Sequence, residues 1–400
     1  MNIWTDFPKI PLPKLLSFVV DNRGKTVPLS ENGNHILIAT NCIRNENLYP
    51  SYDKIRFLSQ ETYETWFRAH PLPGDVIFVC KGTPGRVCMV PDPVNFCIAQ
   101  DMVALRVDDS RLYNRYLLAV LRSRPIQEQI TNTSVGDVIP HFKKQFFDQL
   151  LIPLPPMELQ KKIGDFYFSF SLKIELNNRI NENLEQQART LFRQWLLAKD
   201  AGSCKCLSEI ADINPEVYAP KDNWLFVNYL DTSSITSGEI SDVQYILPAE
   251  EKLPSRARRI LRQGDIVFST VRPNQLHYGI ISDPLPNMLG STGFVVIRSK
   301  EASIPNEVIY LALTESAFIE RMQQLAEQSV STFPSIRPTD LDVCVLPEMT
   351  PEDIDFAETI KKLFKAKSIN SEENRRLSII RDTLLPKLMS GELDVSEIDL

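Results

Sequence analysis

Gly74-Asp75-Val76-Ile77-Phe78 returns 190 residues later as Gly264-Asp265-Ile266-Val267-Phe268, and the reading of that pair decides the fold. A glycine and an acid leading into a short apolar run mark a turn that opens a strand. Outward from there, Met102-Val103-Ala104-Leu105-Arg106 matches Phe294-Val295-Val296-Ile297-Arg298 at an offset of 192, as Asn114 and Glu128 match Asn306 and Glu320. Pro140, Leu151 and Pro153 match Pro334, Val345 and Pro347 at 194, and Leu184 with Thr190-Leu191-Phe192 matches Leu377 with Thr383-Leu384-Leu385 at 193. The offsets drift by a residue or two and the order never changes. The chain is therefore an internal duplication with a period near 192 residues.

Each copy has two parts. In the first, roughly 12–152 and 207–346, Pro, Gly, Asn and Asp punctuate short apolar runs. Strands are predicted over His35–Ala39, Val76–Cys80, Val103–Val107, Trp224–Tyr229, Ile266–Ser269 and Phe294–Ile297. One helical stretch follows in each copy, Tyr113–Ile130 and Asn306–Glu327. The second part is a long helix. Pro153-Leu154-Pro155-Pro156 stops the strand, and Gly164 is the only glycine before about Leu197. Ile163, Phe166, Phe170, Ile174, Ile180, Leu184 and Leu191 fall at spacings that suit a two-helix seam. Its copy, Pro351 to Leu385, carries Phe356, Ile360, Leu363, Ile369, Leu377, Ile380 and Leu384, with Pro386 and Gly391 punctuating its end. Midway the seam turns polar, at Asn177 and Asn181 in one helix and Asn370 and Asn374 in the other. Buried, these asparagines would fix register; on a solvated face they would do nothing of the kind. The expected fold is α+β with a pseudo-twofold repeat: globules at 1–152 and 200–347, separated by an antiparallel pair of long helices, 153–199 and 348–400 with its tail. Such a coiled-coil pair is a spacer about 50 Å long at ~1.5 Å per residue.

The composition, with 43% hydrophobic and 24% charged residues, excludes a disordered or collagen-like chain. Apolar runs such as Leu15–Val20 are too short to span a bilayer, and the start of the chain has no pattern of a secretory signal. Seven scattered cysteines without a Cys-x-x-Cys pair, and four isolated histidines, argue for reduced thiols in a cytoplasmic protein and against a zinc site. The net charge of −7 is unevenly spread. Residues 1–150 hold 17 Lys and Arg against 15 Asp and Glu, whereas residues 201–346 hold 12 against 18. Contact with nucleic acid would need local basic faces, or basic partners.

Three features carry a resemblance. They are the domain-closing Ile152-Pro153-Leu154-Pro155-Pro156-Met157-Glu158-Leu159-Gln160, the helix tail Glu175-Leu176-Asn177-Asn178-Arg179-Ile180-Asn181-Glu182-Asn183-Leu184-Glu185-Gln186-Gln187-Ala188, and the Gly-Asp strand entry. The chain resembles the specificity subunit of type I restriction–modification systems over essentially its whole length. The second closing segment, Val345-Leu346-Pro347-Glu348-Met349-Thr350-Pro351, departs from the pattern. The resemblance implies two target-recognition domains, each reading one half of an asymmetric, split site on double-stranded DNA. It implies helices that dock two modification (methyltransferase) subunits, which carry S-adenosylmethionine and methylate adenine, this chain binding no cofactor. Two ATP-dependent motor–nuclease restriction subunits can then join.

A search for catalysis in the chain itself finds little. Adenine methylation needs an Asn/Asp-Pro-Pro-aromatic motif, and neither Asn214-Pro215-Glu216-Val217 nor Asp92-Pro93-Val94-Asn95 fits. Gly24-Lys25-Thr26 lacks the first glycine of a phosphate loop, and neither Gly-x-Ser-x-Gly nor His-Glu-x-x-His occurs. A non-catalytic reader is expected. Base edges and phosphates are read by Arg, Lys, Asn, Gln, Ser and Thr on loops. In the first copy the candidates are Asn22, Arg23, Lys25 and Thr26; Lys81, Thr83 and Arg86; Asn132 and Ser134; and Lys143 and Lys144. In the second they are Ser269, Thr270, Arg272, Asn274, Gln275 and His277, then Ser331 and Arg337. The bland alternative makes these loops plain turns with solvated charges. The run Arg256, Arg258, Arg259, Arg262, placed before a strand, stays open between phosphate contact and plain surface. Phe166, Phe170, Asn177, Asn181, Leu184, Leu363, Asn370, Asn374 and Leu377 are the expected seam. Phe166, Tyr167, Phe168 and Phe170 together exceed what a seam needs and suggest a docking face. The rival from another class is a repeat-built protein scaffold that never touches DNA.

Overall fold

A computed structural model describes residues 2–52, 55–136, 139–199, 202–329 and 334–393. The first copy runs β1 (Lys9–Pro11), β2 (Leu16–Val20), β3 (His35–Ile38), β4 (Arg56–Leu58), α1 (Gln60–Thr65), β5 (Val76–Val79), β6 (Val87–Met89), β7 (Phe96–Ile98), β8 (Met102–Val107), α2 (Asn114–Arg122), α3 (Arg124–Thr133) and β9 (Leu151–Pro153). The long helix α4 (Met157–Ala198) follows. The second copy runs β10 (Cys204–Cys206), α5 (Leu207–Ile210), β11 (Ala211–Ile213), β12 (Val227–Leu230), β13 (Ile235–Thr236), β14 (Glu239–Ile240), β15 (Gln244–Ile246), β16 (Ala257–Ile260), β17 (Ile266–Ser269), β18 (Tyr278–Ile280), β19 (Met288–Ser291), β20 (Phe294–Ser299), α6 (Asn306–Leu313), α7 (Ser316–Glu327) and β21 (Val345–Pro347). The second long helix, α8 (Ile354–Ser390), closes the described chain.

The duplication is a duplication of topology. The first copy forms a sheet of order β2-β8-β5-β6, the second one of order β11-β20-β17-β18. A smaller sheet, β4-β3-β7, has its counterpart in β15-β12-β19-β16, each with one parallel pair, β3 with β7 and β12 with β19. The second copy adds β16 and the β13–β14 hairpin. The Gly-Asp signature has a clear purpose. Gly74 and Gly264 sit at φ +83° and +85°, where a side chain is strained. Asp75 and Asp265, both buried, grip Arg106 and Arg298 of the neighbouring strand through paired oxygens at 2.7–2.9 Å. The residues chosen by sequence matching are thus the ones that lock the central strands together.

The chain divides into two compact units, 1–179 with 371–400 and 180–370. In the first, α2, α3 and the central sheet share a core that includes Val76, Phe78, Tyr116 and Ile152, and the segment Ile163–Phe168 of α4 joins it. Gly164 is required there: a Cβ would stand 2.6 Å from the Tyr116 backbone nitrogen. Tyr167 and Phe168 belong to this core, so the aromatics read as surplus to the seam are used inside the unit. Phe166 and Phe170 pack with Leu384 and Leu388 of α8. Asn177 donates to Asn374 at 2.9 Å and to Glu373 at 2.7 Å, and Asn374 donates to Asn178 at 2.7 Å. In the second unit Trp195 stacks on Phe356 at 4.9 Å, Leu363 packs against the core that holds Phe192 and Ile360, and Asn370 donates to Asn181 at 2.9 Å. Asn177 and Asn181 are buried, which decides for the seam reading of both. Within each unit the partner numbers fall on α8 as they rise on α4, so the helices are antiparallel.

Four expectations need correction. Ile180 and Ile369 are exposed, because the asparagines hold the inward positions there, and Ile380 is exposed beside the buried Arg381; Leu184 and Leu377 are half-buried. Each single helical stretch is two helices. Pro125 lacks the N–H needed to continue α2, and in the second copy Arg189 binds the Thr314 carbonyl at 3.2 Å where α6 ends. Helix α8 does not end at Pro386 but runs through it to Ser390, since Leu388 and Met389 are buried beyond the break. Arg258 and Arg259 lie within a strand that was not expected, β16, which itself precedes β17.

Candidate nucleic-acid interface

Where β5 ends, three of the four loops of the first copy are tied into one node. The Phe142 amide donates to the Cys80 carbonyl at 2.7 Å, and the Gly82 amide to the Pro140 carbonyl at 3.0 Å. Val135 and His141 exchange backbone bonds of 3.1 and 2.8 Å, which adds the turn after α3. Gly82 turns the chain at φ +86°. Lys81, Lys143 and Lys144 are exposed around this node, as is Asn132, while Thr83 and Arg86 are half-buried and Ser134 bonds back to Ile130 at 2.8 Å. Burial first, and then the charges of Arg23, Lys81 and Lys143, hold the His141 imidazole below its usual range. The patch is cationic, with Asp21 and Asp101 as local counter-charges.

Not every candidate faces outward. Asn22 is buried, and its side chain ties the Ala69 and Ile98 carbonyls and the Arg68 amide together at 2.9–3.1 Å, so it works inside the fold. Arg23 is held by Asp21 at 2.8 and 2.9 Å. Lys25 and Thr26 are exposed.

The second copy builds the same node from different residues. The Ile336 amide donates to the Thr270 carbonyl at 2.9 Å, and the Arg272 amide to the Pro334 carbonyl at 3.0 Å. These bonds match those of Cys80 and Gly82 one for one. Arg272 therefore occupies the place of Gly82, in the left-handed region at φ +47°. Behind it Pro273 is buried, and Pro273–Gln275 forms a 3-10 turn. Arg272, Asn274 and Gln275 are exposed. Ser269 is buried and bonds the Val271 carbonyl at 3.0 Å, Thr270 bonds Gly293 at 3.0 Å, and His277 Nδ1 lies 2.7 Å from the Ile235 carbonyl. These three shape the loop from behind. Arg337 is exposed and paired to Asp340 at 2.9 Å, and Ser331 lies outside the described residues.

Two arginines of the basic run are occupied. Arg262 is held by Glu216 at 2.7 Å, and Arg258 reaches the backbone of Ser255 and Tyr218. Arg262 and then Arg298 hold the Glu216 carboxyl down at about 2. Sequence reasoning missed Glu216, whose partners lie 46 and 82 positions away, and the β13–β14 hairpin, whose Ser237 amide donates to the Leu276 carbonyl at 2.8 Å. No spacing rule would have found either.

Residues 23–186 match the family model described as the type I restriction modification DNA specificity domain. The chain is 22% identical over 380 residues to the specificity subunit of type I restriction enzyme MjaIX of Methanocaldococcus jannaschii, covering 88% of this chain and 85% of that one. It is 20% identical over 400 residues to the HindI specificity subunit of Haemophilus influenzae, covering 80% and 86%. The crystal structure of a type I restriction–modification S subunit from M. genitalium shares the fold, with a TM-score of 0.57, 15% identity and 96% of each chain covered. With the same reader topology built twice and a long helix after each, the chain is similar over most of its length to the specificity subunits of type I restriction–modification systems.

Proposed function

We propose that each loop node meets one half of a bipartite, asymmetric site on double-stranded DNA, and that the chain supplies recognition and no catalysis. One observation carries this reading: two nodes with the same backbone bonds present different exposed side chains, Lys81, Lys143 and Lys144 in one and Arg272, Asn274 and Gln275 in the other. A shared frame with unlike tips is what reading two unlike half-sites requires. Cations near phosphate set affinity, whereas Arg, Asn and Gln are suited to guanine and adenine edges. The helices dock two modification subunits, which bring S-adenosylmethionine, and two ATP-dependent restriction subunits can join them in the cytoplasm. Exposed Leu176, Ile379 and Ile380 in one unit, and Ile180 and Ile369 in the other, support docking on these helices. No helix among the described residues is long and apolar enough to cross a membrane.

The test is binding of the assembled complex to a library of duplexes, together with sequencing for methylated adenine in cells with and without this chain. A split, non-palindromic motif that vanishes with the chain is expected. Partner assembly without any DNA preference would favour the scaffold instead.

A further inference from the structure

The geometry points to Arg272 as the residue that reads a guanine in the half-site of the second copy, an assignment that rests on the reading just given. The two nodes allow a controlled comparison. At Gly82 the left-handed backbone costs nothing, and a Cβ built there would meet no atom within 4 Å, so the position looks into open space. The second copy puts an arginine at that same bonded position, in a conformation that a residue with a Cβ resists. Glycine would satisfy the turn more easily, so the side chain is what the position is for.

The loop around Arg272 is held at several points. Leu276, also left-handed at φ +58°, closes the turn, and its carbonyl accepts from Ser237 at 2.8 Å. The Asn274 amide donates to Gln323 of α7 at 3.3 Å, and buried Pro273 anchors the middle. A guanidinium on such a base loses little freedom on binding. Its two parallel N–H groups match O6 and N7 of guanine in the major groove, in a fixed planar fork that the flexible lysine ammonium lacks. In the first copy the equivalent position carries no side chain, so the first half-site is read by other loops.

Arg272→Gly, Arg272→Lys and Gly82→Arg would each be assembled with the modification subunits. Binding would be measured on duplexes varied at every base pair, at two salt concentrations, with melting recorded alongside. Arg272→Gly should lower the preference for one G·C pair of the second half-site by roughly ten-fold. Other pairs and the salt slope should hold, and the loss should disappear on duplexes already lacking that pair. Arg272→Lys should not restore the preference. Gly82→Arg should change selectivity only in the first half-site. Uniform weakening with a salt slope reduced by about 0.9 would make Arg272 a phosphate contact and overturn the assignment. An unchanged profile in Arg272→Gly, from a parent that discriminates, would overturn it while leaving DNA reading intact. A parent without sequence preference would overturn both.

Discussion

The two reader copies share a backbone and differ in how tightly it is braced. In the first, Asp75 is the one carboxylate among the described residues that grips Arg106, the loop beyond β5 turns on two glycines, and the helix junction closes by bringing Gly164 against the α2 backbone. In the second, Arg298 is held by both Asp265 and Glu216, the loop carries two left-handed residues that are not glycine, and Ala357 stands 193 positions after Gly164. At the same junction Gln160 satisfies backbone groups of residues 111–113 in the first copy. Asp353 instead accepts from Trp195 at 2.8 Å and Lys199 at 2.5 Å in the second. Topology thus survives duplication where backbone bonds enforce it, while the side chains that brace it can be replaced as sets.

The sharpest way to break the parallel is at the clamps. Arg298→Ala leaves Asp265 buried without its partner and should cost about 3–5 kcal/mol in chemical denaturation. Arg106→Ala should cost less, since only one carboxylate loses a partner there. Next is Gly164→Ala, whose methyl must push α2 aside. A loss of about 1–3 kcal/mol is expected, against about 1 kcal/mol or less for Ala357→Gly. If both changes cost the same, the junctions are equivalent after all.

A smaller effect distinguishes the copies by pH. The Glu216 carboxyl, held at about 2 against an ordinary 4.5, is protonated more easily unfolded than folded. Its contribution is therefore full above pH 4.5 and is lost as the pH falls toward 2. Acid titration of Glu216→Gln should show a shallower fall in stability over that window than the parent. The smallest effect is expected at a surface cation of the first node. Lys143→Ala should weaken binding to every duplex alike and lower the salt slope by about 0.9, without altering which sequence is preferred.

What could be read along the chain was what repeats or alternates. The Gly-Asp entries, the closing prolines and the helical spacing are local signals, each imposed by a backbone requirement at one place, and they determined the doubled α+β plan and both long helices. Most strands that were predicted fell within a residue or two of their places, for the same reason. The seam was harder. Ile180 and Ile369 have the right period, yet Asn177, Asn181, Asn370 and Asn374 take the inward positions, because paired amides satisfy one another there and the period alone does not say which row faces in.

The interface divides the same way. Four polar loops could be found from their composition, but composition does not distinguish Asn22, sealed among backbone carbonyls, from exposed Lys25 three positions on. Nor could it show that residues 80–82 and 140–142 share one set of bonds, that 270–272 and 334–336 repeat it, or that Arg272 thereby stands where Gly82 does. Local sequence determined which segments fold and in what order, since propensity and hydrophobic period act over a few residues. Which side chains the loops present, and which are consumed in holding them, was decided only by tertiary structure, because partners far apart in the sequence compete for the same donors and acceptors.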